Sequence, residues 1–446
     1  MIRVANGQGF WGDWLLAPVR LVEQGPIDYL TLDYLAEVTM AVLEKQRRRD
    51  PALGYASDFP PLIERLAPAL RRQRRIRVVT NAGGLNPRAC AREVLRRAPG
   101  LKVAIVQGDD VTARIGEFLA KGYALNNLDT GEPIEPIRGR ILSANAYLGA
   151  FPLAEALAAG ADVVISGRCA DSSLLLAPCI HAFGWAANDW DLLAAGATAG
   201  HIVECGAQTT GGNSQVEWRQ IPDLDEIGYP IAEVNADGSF IITRHAGAGG
   251  RVTPDIVKEQ LLYEIGDPGA YLTPDVVADF TRLQLAPDGP DRVRITGAAG
   301  RRRPACLKLS INYAAGWKAV GTMVYTAPEA ILKAQAADRI VRRRLEKLGL
   351  VFDEIYTEYL GWNACHGAAA PAVSEVPEVQ LRIGVRGQDR GAVDRFTREL
   401  APLVLSGPPG ATGYGGEGRP KVREVVGNWG ALLPRAELQP CIEVLE

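Results

Sequence analysis

The residues best suited to acid–base chemistry lie in one short segment, where a carboxylate and a thiol precede an amide and paired glycines. Glu204 and Cys205 are followed by Gln208 and by Gly211-Gly212. We expect Glu204 to act as a general base and the N–H groups of the two glycines to hold an oxyanion. The alternative is a buried cysteine beside a structurally paired glutamate. Because a lone Cys usually behaves as a small apolar residue, we reject Cys205 as a nucleophile.

Histidine is the usual acid–base side chain at neutral pH, and the sequence contains only four. His245 opens a glycine-rich loop and is the first candidate for catalysis, and His201, four residues before Cys205, is the second. The alternative for each is a histidine that is simply hydrogen-bonded in place. His181 follows an apolar helix and is predicted to be structural. No two histidines have the spacing of metal ligands.

Charged side chains also follow two predicted strands. Arg168 is suited to hold a carboxylate or phosphate through paired hydrogen bonds. The alternative, which we leave open, is a salt bridge to Asp171 that fixes the turn, with Asp171 capping the next helix. Asp109 and Asp110 have oxygens that suit a divalent cation, but an adjacent acidic pair after a strand is more often a helix cap. We therefore predict no obligatory metal.

The other candidate binding residues share one position, the turn that follows a predicted strand. In a parallel α/β sheet ligands bind at this edge, where glycine lets the backbone approach a ligand and the N–H groups of helix starts attract anions. The sequence therefore predicts a pocket for an anionic small molecule. The candidate binding residues are Asn6, Gly9, Asp13, Asn81, Gly83, Gly84, Asn86, Gln107, Asp109, Arg168, Asp171, Gln208, Gly211 and Gly212.

The first of these turns also has the spacing of a dinucleotide-binding loop. Gly7–Gly12 reads GxGxxG after a strand, but the acidic residue expected further along is ambiguous, because both Asp28 and Asp33 are present. An NAD(P)-linked oxidoreductase is therefore the weaker alternative, and no cofactor is predicted. Trp11 and Trp14 beside the loop either line an apolar ligand pocket or pack in the core.

The elements that position these turns alternate as strand, turn and helix over the first 200 residues, which is typical of a doubly wound, mostly parallel sheet. The predicted strands are Ile2–Ala5, Tyr29–Leu32, Arg77–Thr80, Lys102–Val106, Leu142–Asn145 and Asp162–Ser166. Further along, alternating apolar and polar residues predict antiparallel strands at Arg292–Thr296, Cys306–Tyr313, Lys318–Tyr325 and Val379–Arg386, with a long helix at Pro328–Leu350. We therefore predict an α/β glycine-loop domain over 1–200 and an α+β domain over 201–446.

Composition limits the classes of partner. The 446 residues are 47% hydrophobic with a net charge of −3, which gives no electrostatic reason to expect nucleic acid or an anionic membrane. There is neither an apolar run long enough to span a membrane nor a signal peptide. Seven scattered Cys without a CxxC pair indicate reduced, buried thiols and hence a cytoplasmic protein. The large apolar share and even charge balance favour a homo-oligomer.

Several longer motifs resemble those of the acyclic terpene utilisation (AtuA) family. They are the segments at 166–174 and 200–212, with further similar segments at 81–87, 228–233, 259–265, 271–276 and 407–413. The resemblance covers nearly the whole chain in order. It implies a role in the catabolism of acyclic terpenes such as citronellol and geraniol through branched acyl-CoA intermediates, but carries over no catalytic residue. Longer relatives have an additional C-terminal module, so the resemblance also implies a separate small protein partner.

Two classes of function are consistent with these features. The first is a hydratase or lyase that acts on a branched, unsaturated acyl-CoA or its carboxylate, because such chemistry needs a base beside a carbonyl and donors for an enolate oxygen. A CoA thioester would then be part of the substrate. The second is a non-catalytic subunit that binds an acyl-CoA or a partner enzyme.

Overall fold

The computed structural model describes residues 1–216, 218–413 and 418–446. Its helices are α1 Ala17–Gln24, α2 Glu37–Arg49, α3 Phe59–Arg72, α4 Pro87–Arg97, α5 Ile115–Ala120, α6 Glu135–Arg138, α7 Ala150–Ala158, α8 Ser173–Phe183, α9 Trp190–Val203, α10 Pro254–Leu262, α11 Ala330–Lys347, α12 Arg390–Phe396 and α13 Leu403–Ser406. Its strands are β1 Ile2–Asn6, β2 Tyr29–Leu32, β3 Arg77–Thr80, β4 Val103–Gln107, β5 Ile141–Ala146, β6 Val163–Ser166, β7 Pro230–Val234, β8 Phe240–Arg244, β9 Tyr271–Leu272, β10 Val277–Asp279, β11 Gln284–Pro287, β12 Val293–Thr296, β13 Ala299–Arg301, β14 Cys306–Thr326, β15 Glu354–Leu360, β16 Glu378–Gly387, β17 Ala411–Thr412, β18 Arg423–Pro434 and β19 Cys441–Leu445.

One large sheet organises the first part of the chain. Its strand order is β11-β12-β8-β7-β1-β2-β3-β6-β4-β19. The run β1-β2-β3-β6-β4 at its centre is parallel, as the strand–turn–helix rhythm predicts. These strands are nearly continuous runs of buried apolar residues because helices cover both faces of a parallel sheet. The mixed α/β class is therefore confirmed.

The chain divides into two compact units. Unit 1 comprises 1–312 and 428–446, and unit 2 comprises 313–427. These bounds differ from the predicted division near residue 200. The reason is that β7 pairs antiparallel with β1, at Ile2↔Val234, so β7, β8, β12 and β11 extend the N-terminal sheet instead of starting a separate one.

Unit 2 is built on long antiparallel strands. β16 pairs along its whole length with β14 and over most of it with β15. Residues of α11 and α12, including Val341 and Phe396, share a buried cluster with Leu381 of β16. The two strands expected at 306–313 and 318–325 form the single strand β14. The glycine-rich loop expected at 407–418 falls partly outside the described residues, since 414–417 are not described.

Helix α9 carries His201 in its last turn, and its sequence did not predict a helix. It consists mainly of Ala, Gly and Leu, and eleven of its residues are buried. A helix that is buried on nearly all sides shows no amphipathic period. Close packing explains the glycine beside His201, because a Cβ at Gly200 would lie 2.5 Å from the backbone oxygen of Ser172. Dense packing thus fixes the end of α9 against the start of α8.

Two general properties of the chain concern its helices and its thiols. No helix within the described ranges has the length and apolarity that a membrane crossing requires. All seven cysteines are free. Three of them are buried as expected, whereas Cys365 and Cys441 are exposed, so exposure of the thiols differs from the prediction.

Candidate active site

A cavity of about 410 Å³ lies within unit 1. Its walls include the turn after β6, the end of α9, the start of α2, the segment around β9 and the beginning of β14. Its polar lining includes Glu37, Tyr147, Arg168, Asp171, His201 and Glu204. This volume suits a small organic ligand.

His201 and Glu204 form a hydrogen-bonded pair in this lining. The Nδ1 atom of His201 lies 3.0 Å from Oε1 of Glu204, and its Nε2 atom lies 3.2 Å from the backbone oxygen of Leu261. Because a carbonyl oxygen can only accept, Nε2 must carry a hydrogen. The contact between Nδ1 and Oε1 then requires one further proton, held by either the imidazole or the carboxyl group. The pair therefore stores a proton beside the cavity.

Burial gives Glu204 an unusual proton affinity. Burial raises the pKa of this carboxyl to about 7, although the hydrogen bond with His201 lowers it. For His201, burial lowers the pKa but the hydrogen bond with Glu204 outweighs it, so its pKa is raised. The second carboxyl oxygen, Oε2 of Glu204, is buried and has no hydrogen-bond partner among the described residues. An orphaned oxygen on a carboxyl that titrates near neutrality is suited to general acid–base work.

Asn6 fixes the position of this carboxyl. Its side-chain amide donates to the backbone oxygens of Val203, at 2.7 Å, and of Glu204, at 2.8 Å. These carbonyls belong to the last turn of α9, where no helical N–H remains to satisfy them. Asn6 was expected to contact the ligand, and the structure places it behind the cavity lining as a support for Glu204.

Arg168 is held on several sides. Its backbone N–H donates to Asp109 at 2.8 Å, and its Nη1 donates to Asp171 at 3.0 Å and to the backbone oxygen of Leu35. Its guanidinium carbon lies 4.2 Å from the ring centre of Tyr147. The salt bridge to Asp171, one of the two expected roles, is present. The Nε of Arg168 is buried and has no hydrogen-bond partner within the described ranges.

Glu37, Tyr147 and Lys308 form the third polar group. The hydroxyl of Tyr147 donates to Glu37 at 2.5 Å, and the ammonium of Lys308 donates to the same oxygen at 2.9 Å. Burial raises the pKa of Glu37, but these hydrogen bonds outweigh it and lower the pKa to about 2. Glu37 is therefore ionised at neutral pH and forms an ion pair with Lys308.

The charges of the lining favour an uncharged ligand group. Each of its two cations, Arg168 and Lys308, is hydrogen-bonded to a carboxylate, and Glu264 adds another carboxylate. A free anion placed here would meet this negative charge at close range in a partly buried site. The cavity itself thus does not favour the anionic ligand predicted from the glycine turns.

Several predicted binding residues instead hydrogen-bond within the protein. Asn81 donates to Asp33 at 2.7 Å and accepts from the N–H of Tyr34. Asn86 caps α4 by accepting from the N–H of Ala89. Asp13 accepts from Gly9 and from the hydroxyl of Tyr229. These side chains stabilise the turns that carry them and do not line the cavity.

The predicted glycines serve close packing. A Cβ at Gly83 would lie 2.5 Å from the backbone oxygen of Ser166, and one at Gly9 would lie 2.9 Å from the backbone of Cys205. Gly84 has a φ of 51°, which an L side chain rarely adopts. The dinucleotide-loop glycine Gly9 is thus in contact with protein backbone, where a pyrophosphate would have to approach.

The expected oxyanion donors are already occupied. The N–H of Gly211 donates to the backbone oxygen of Gln208 at 3.2 Å, and that of Gly212 donates to Ala207 at 2.8 Å. Gln208 itself lies in a short 3₁₀ turn. Gln107 is paired in the sheet with Cys441. None of these residues lines the cavity.

The two candidate histidines lie in different places. His201 lines the cavity beside Glu204, whereas His245 does not. His245 is buried after β8, where burial and the neighbouring charge of Arg244 lower its pKa. Of the predicted residues, the cavity therefore brings together Glu204, His201, Arg168 and Asp171.

Sequence reasoning missed Glu37, Tyr147 and Lys308. Lys308 lies near the start of β14, where alternation marks it as facing away from Leu307 and Leu309 but says nothing about its neighbours. Glu37 is the acidic residue in the first turn of α2, a common helix-start feature. No local signal joins these two positions, because 271 residues separate them.

No group of three or more His, Cys, Asp or Glu side chains in the described ranges is arranged to hold a metal ion. Searches among curated proteins and among solved structures found no match. The model of the acyclic terpene utilisation family protein AtuA matches residues 2–444, which is nearly the entire sequence. The chain therefore belongs to the AtuA family.

Proposed function

We propose that this protein is a hydratase or lyase that acts on a branched, unsaturated acyl thioester in acyclic terpene utilisation. The observation that carries the proposal is Glu204 in the lining of a 410 Å³ cavity, where its carboxyl has a pKa of about 7 and its buried Oε2 atom has no hydrogen-bond partner among the described residues. Family membership supports the pathway but names no reaction.

The pair of Glu204 and His201 supplies the base. When the shared proton is on His201, Glu204 is a carboxylate with Oε2 free to accept. In dehydration of a 3-hydroxyacyl thioester, the Cα–H bond breaks and its proton passes to Oε2. The electron pair forms the carbon–carbon double bond as the Cβ–O bond breaks, and the hydroxide leaves with the proton from Glu204 as water. Hydration is the reverse.

Arg168 is the candidate for stabilising the charge that develops on the thioester oxygen. Its free Nε–H is a charged, fixed donor in a buried site. A preorganised donor of this kind favours an enolate-like transition state. A neutral carbonyl also fits the lining better than a carboxylate, because the lining cations are already paired. Leu272, Leu307 and Leu432 supply apolar surface for the branched chain.

The test is turnover of branched enoyl and 3-hydroxyacyl thioesters by wild-type protein and by Glu204→Gln, with and without a small protein equivalent to the C-terminal module of longer relatives. We expect Glu204→Gln to lower kcat by about 10²–10⁴-fold with little change in KM, the range for a lost acid–base group. His245→Gln is the matched control, because it changes a buried residue outside the cavity lining and should retain activity.

Turnover by Glu204→Gln within about twofold of wild type would contradict the role of Glu204, because general acid–base catalysis contributes far more than that. Thioester binding by wild type without any turnover would instead support the non-catalytic binding subunit.

A further inference from the structure

A cluster of arginines adjoins the cavity wall on the segment that leads into β14. Arg301, Arg302 and Arg303 are consecutive, and the next residue, Pro304, lines the cavity. The guanidinium of Arg301 donates to the backbone oxygen of Gly269 at 2.7 Å. Among the described residues, Arg302 and Arg303 form no hydrogen bond or ion pair. Two unpaired guanidiniums are thus exposed or half-buried next to the wall.

Arg435 joins this cluster from a distant part of the sequence. Its backbone N–H donates to Ala305 at 3.0 Å, and its guanidinium donates to the backbone oxygen of Pro274, another residue of the cavity wall. The Nε of Arg435 is buried and has no hydrogen-bond partner in the part of the chain that the structure describes. Arg435 therefore links the two wall segments.

Asp275 is a nearby carboxylate that attracts both Arg303 and Arg435, and these two guanidiniums outnumber it. Burial and the like charge of Arg303 lower the pKa of Arg435, and the charge of Asp275 offsets this only in part. The nearby carboxylate Asp275 already accepts from the N–H of Ala150, at 2.9 and 3.0 Å, and from the hydroxyl of Ser173. Adjacent like charges with free donors are stabilised by an anion that comes between them.

We infer that Arg303 and Arg435, with Arg302, bind the phosphate groups of the substrate at the edge of the cavity. This inference rests on the proposed function, and it assigns the charged part of the substrate to the edge and the uncharged reactive part to the cavity. Arginine suits phosphate because its planar guanidinium forms paired hydrogen bonds with phosphate oxygens. Inside the cavity Arg168 and Lys308 are paired with carboxylates, which suits the uncharged reactive part. The arginines at the edge suit the phosphates.

Two sources share this chemistry, namely the phosphates of a CoA thioester and the diphosphate of a prenyl alcohol. We would measure binding to the full chain by calorimetry with three probes: CoA, geranyl diphosphate and pantetheine, which lacks the phosphates. We expect CoA to bind and pantetheine to bind at least tenfold more weakly. Stronger binding of geranyl diphosphate than of CoA would support the phosphate site but assign it to a prenyl diphosphate.

The variants are Arg303→Ala and the double variant Arg302→Ala/Arg303→Ala, on a segment where neither side chain has a hydrogen-bond or ion-pair partner among the described residues. We expect Arg303→Ala to raise the Kd of the phosphate-bearing probe at least tenfold and the double variant to raise it further. The control is Arg75→Ala, which removes the same charge from an exposed position just before the start of β3. It should change Kd less than twofold.

Equal binding of all three probes, or an unchanged Kd in Arg303→Ala, would overturn the inference. The outcome is separable from the catalytic proposal, because Glu204→Gln should retain binding of the phosphate-bearing probe. Loss of binding in Arg303→Ala together with unimpaired turnover in Glu204→Gln would support the phosphate site and remove the catalytic role. Efficient turnover of a pantetheine thioester by wild type, unaffected in Arg303→Ala, would support the catalytic role and remove the phosphate site.

Discussion

Replacement of Glu204 by Gln should change how stability depends on pH. In the folded protein burial raises the pKa of Glu204 from 4.5 to about 7. A carboxyl whose pKa is raised on folding binds its proton more tightly in the folded state. Its contribution to stability is therefore complete below pH 4.5 and is lost as the pH rises through about 7. Gln has nearly the same shape and cannot ionise.

The size of the effect depends on the shift. A pKa shift from 4.5 to about 7 corresponds, at about 1.4 kcal/mol per pKa unit, to roughly 3 kcal/mol. Wild type loses this stability between acid and alkaline pH. The Glu204→Gln variant should therefore gain on wild type as the pH rises from about 5 to about 8.

Differential scanning calorimetry at several pH values measures this directly. We expect the Tm of Glu204→Gln minus that of wild type to increase by several degrees across this range. For comparison, Glu264→Gln removes an exposed carboxylate at the same cavity whose charge contributes to the raised pKa of Glu204, so it should reduce the pH dependence of stability without abolishing it. A difference for Glu204→Gln that stays constant to within about 1 °C would refute the raised pKa and with it the argument for an acid–base role.

Two further variants test the supports of the site. Asn6→Ala removes the donor to two backbone oxygens at the end of α9 and should destabilise unit 1 by about 2–3 kcal/mol, seen as a lower Tm; an unchanged Tm would contradict the structural role assigned to Asn6. Glu37→Gln removes a carboxylate whose pKa is lowered to about 2, so its stabilisation is present above pH 4.5 and lost as the pH falls toward 2. Allowing for solvent screening, we expect this variant to be about 1–2 kcal/mol less stable in denaturant titrations at pH 7, with the gap closing in acid; a gap that persists at low pH would argue against it.

Local sequence patterns predicted much of the central sheet. β2 and β3 have the predicted bounds because short Val- and Leu-rich runs between polar turns describe strands that are buried on both faces. The same reasoning failed for α9, whose buried Ala and Gly residues leave no polar face to reveal a helical period. It also split β14 at Gly316, which adopts a φ of 91° within a continuous strand.

The candidate site was predictable only where its members are close in sequence. His201 and Glu204 are three residues apart at the end of one helix, and Arg168 and Asp171 lie in one strand-to-helix turn, so their types and spacing were visible. His245 was predicted as the first catalytic candidate, and Gly211 and Gly212 as oxyanion donors, only because the sequence around them is rich in glycine. Such sequence equally describes tight turns whose N–H groups bond their own backbone.

The sequence by itself determined the family, the mixed α/β class and the identity of the carboxyl that we propose for acid–base work. Only the tertiary structure decided which charges are compensated. Lys308 is neutralised by a glutamate 271 residues away, whereas Arg303 and Arg435 share the nearby carboxylate Asp275. Burial and distance between charges set these energies, and both depend on the folding of remote segments against each other, which local patterns do not record.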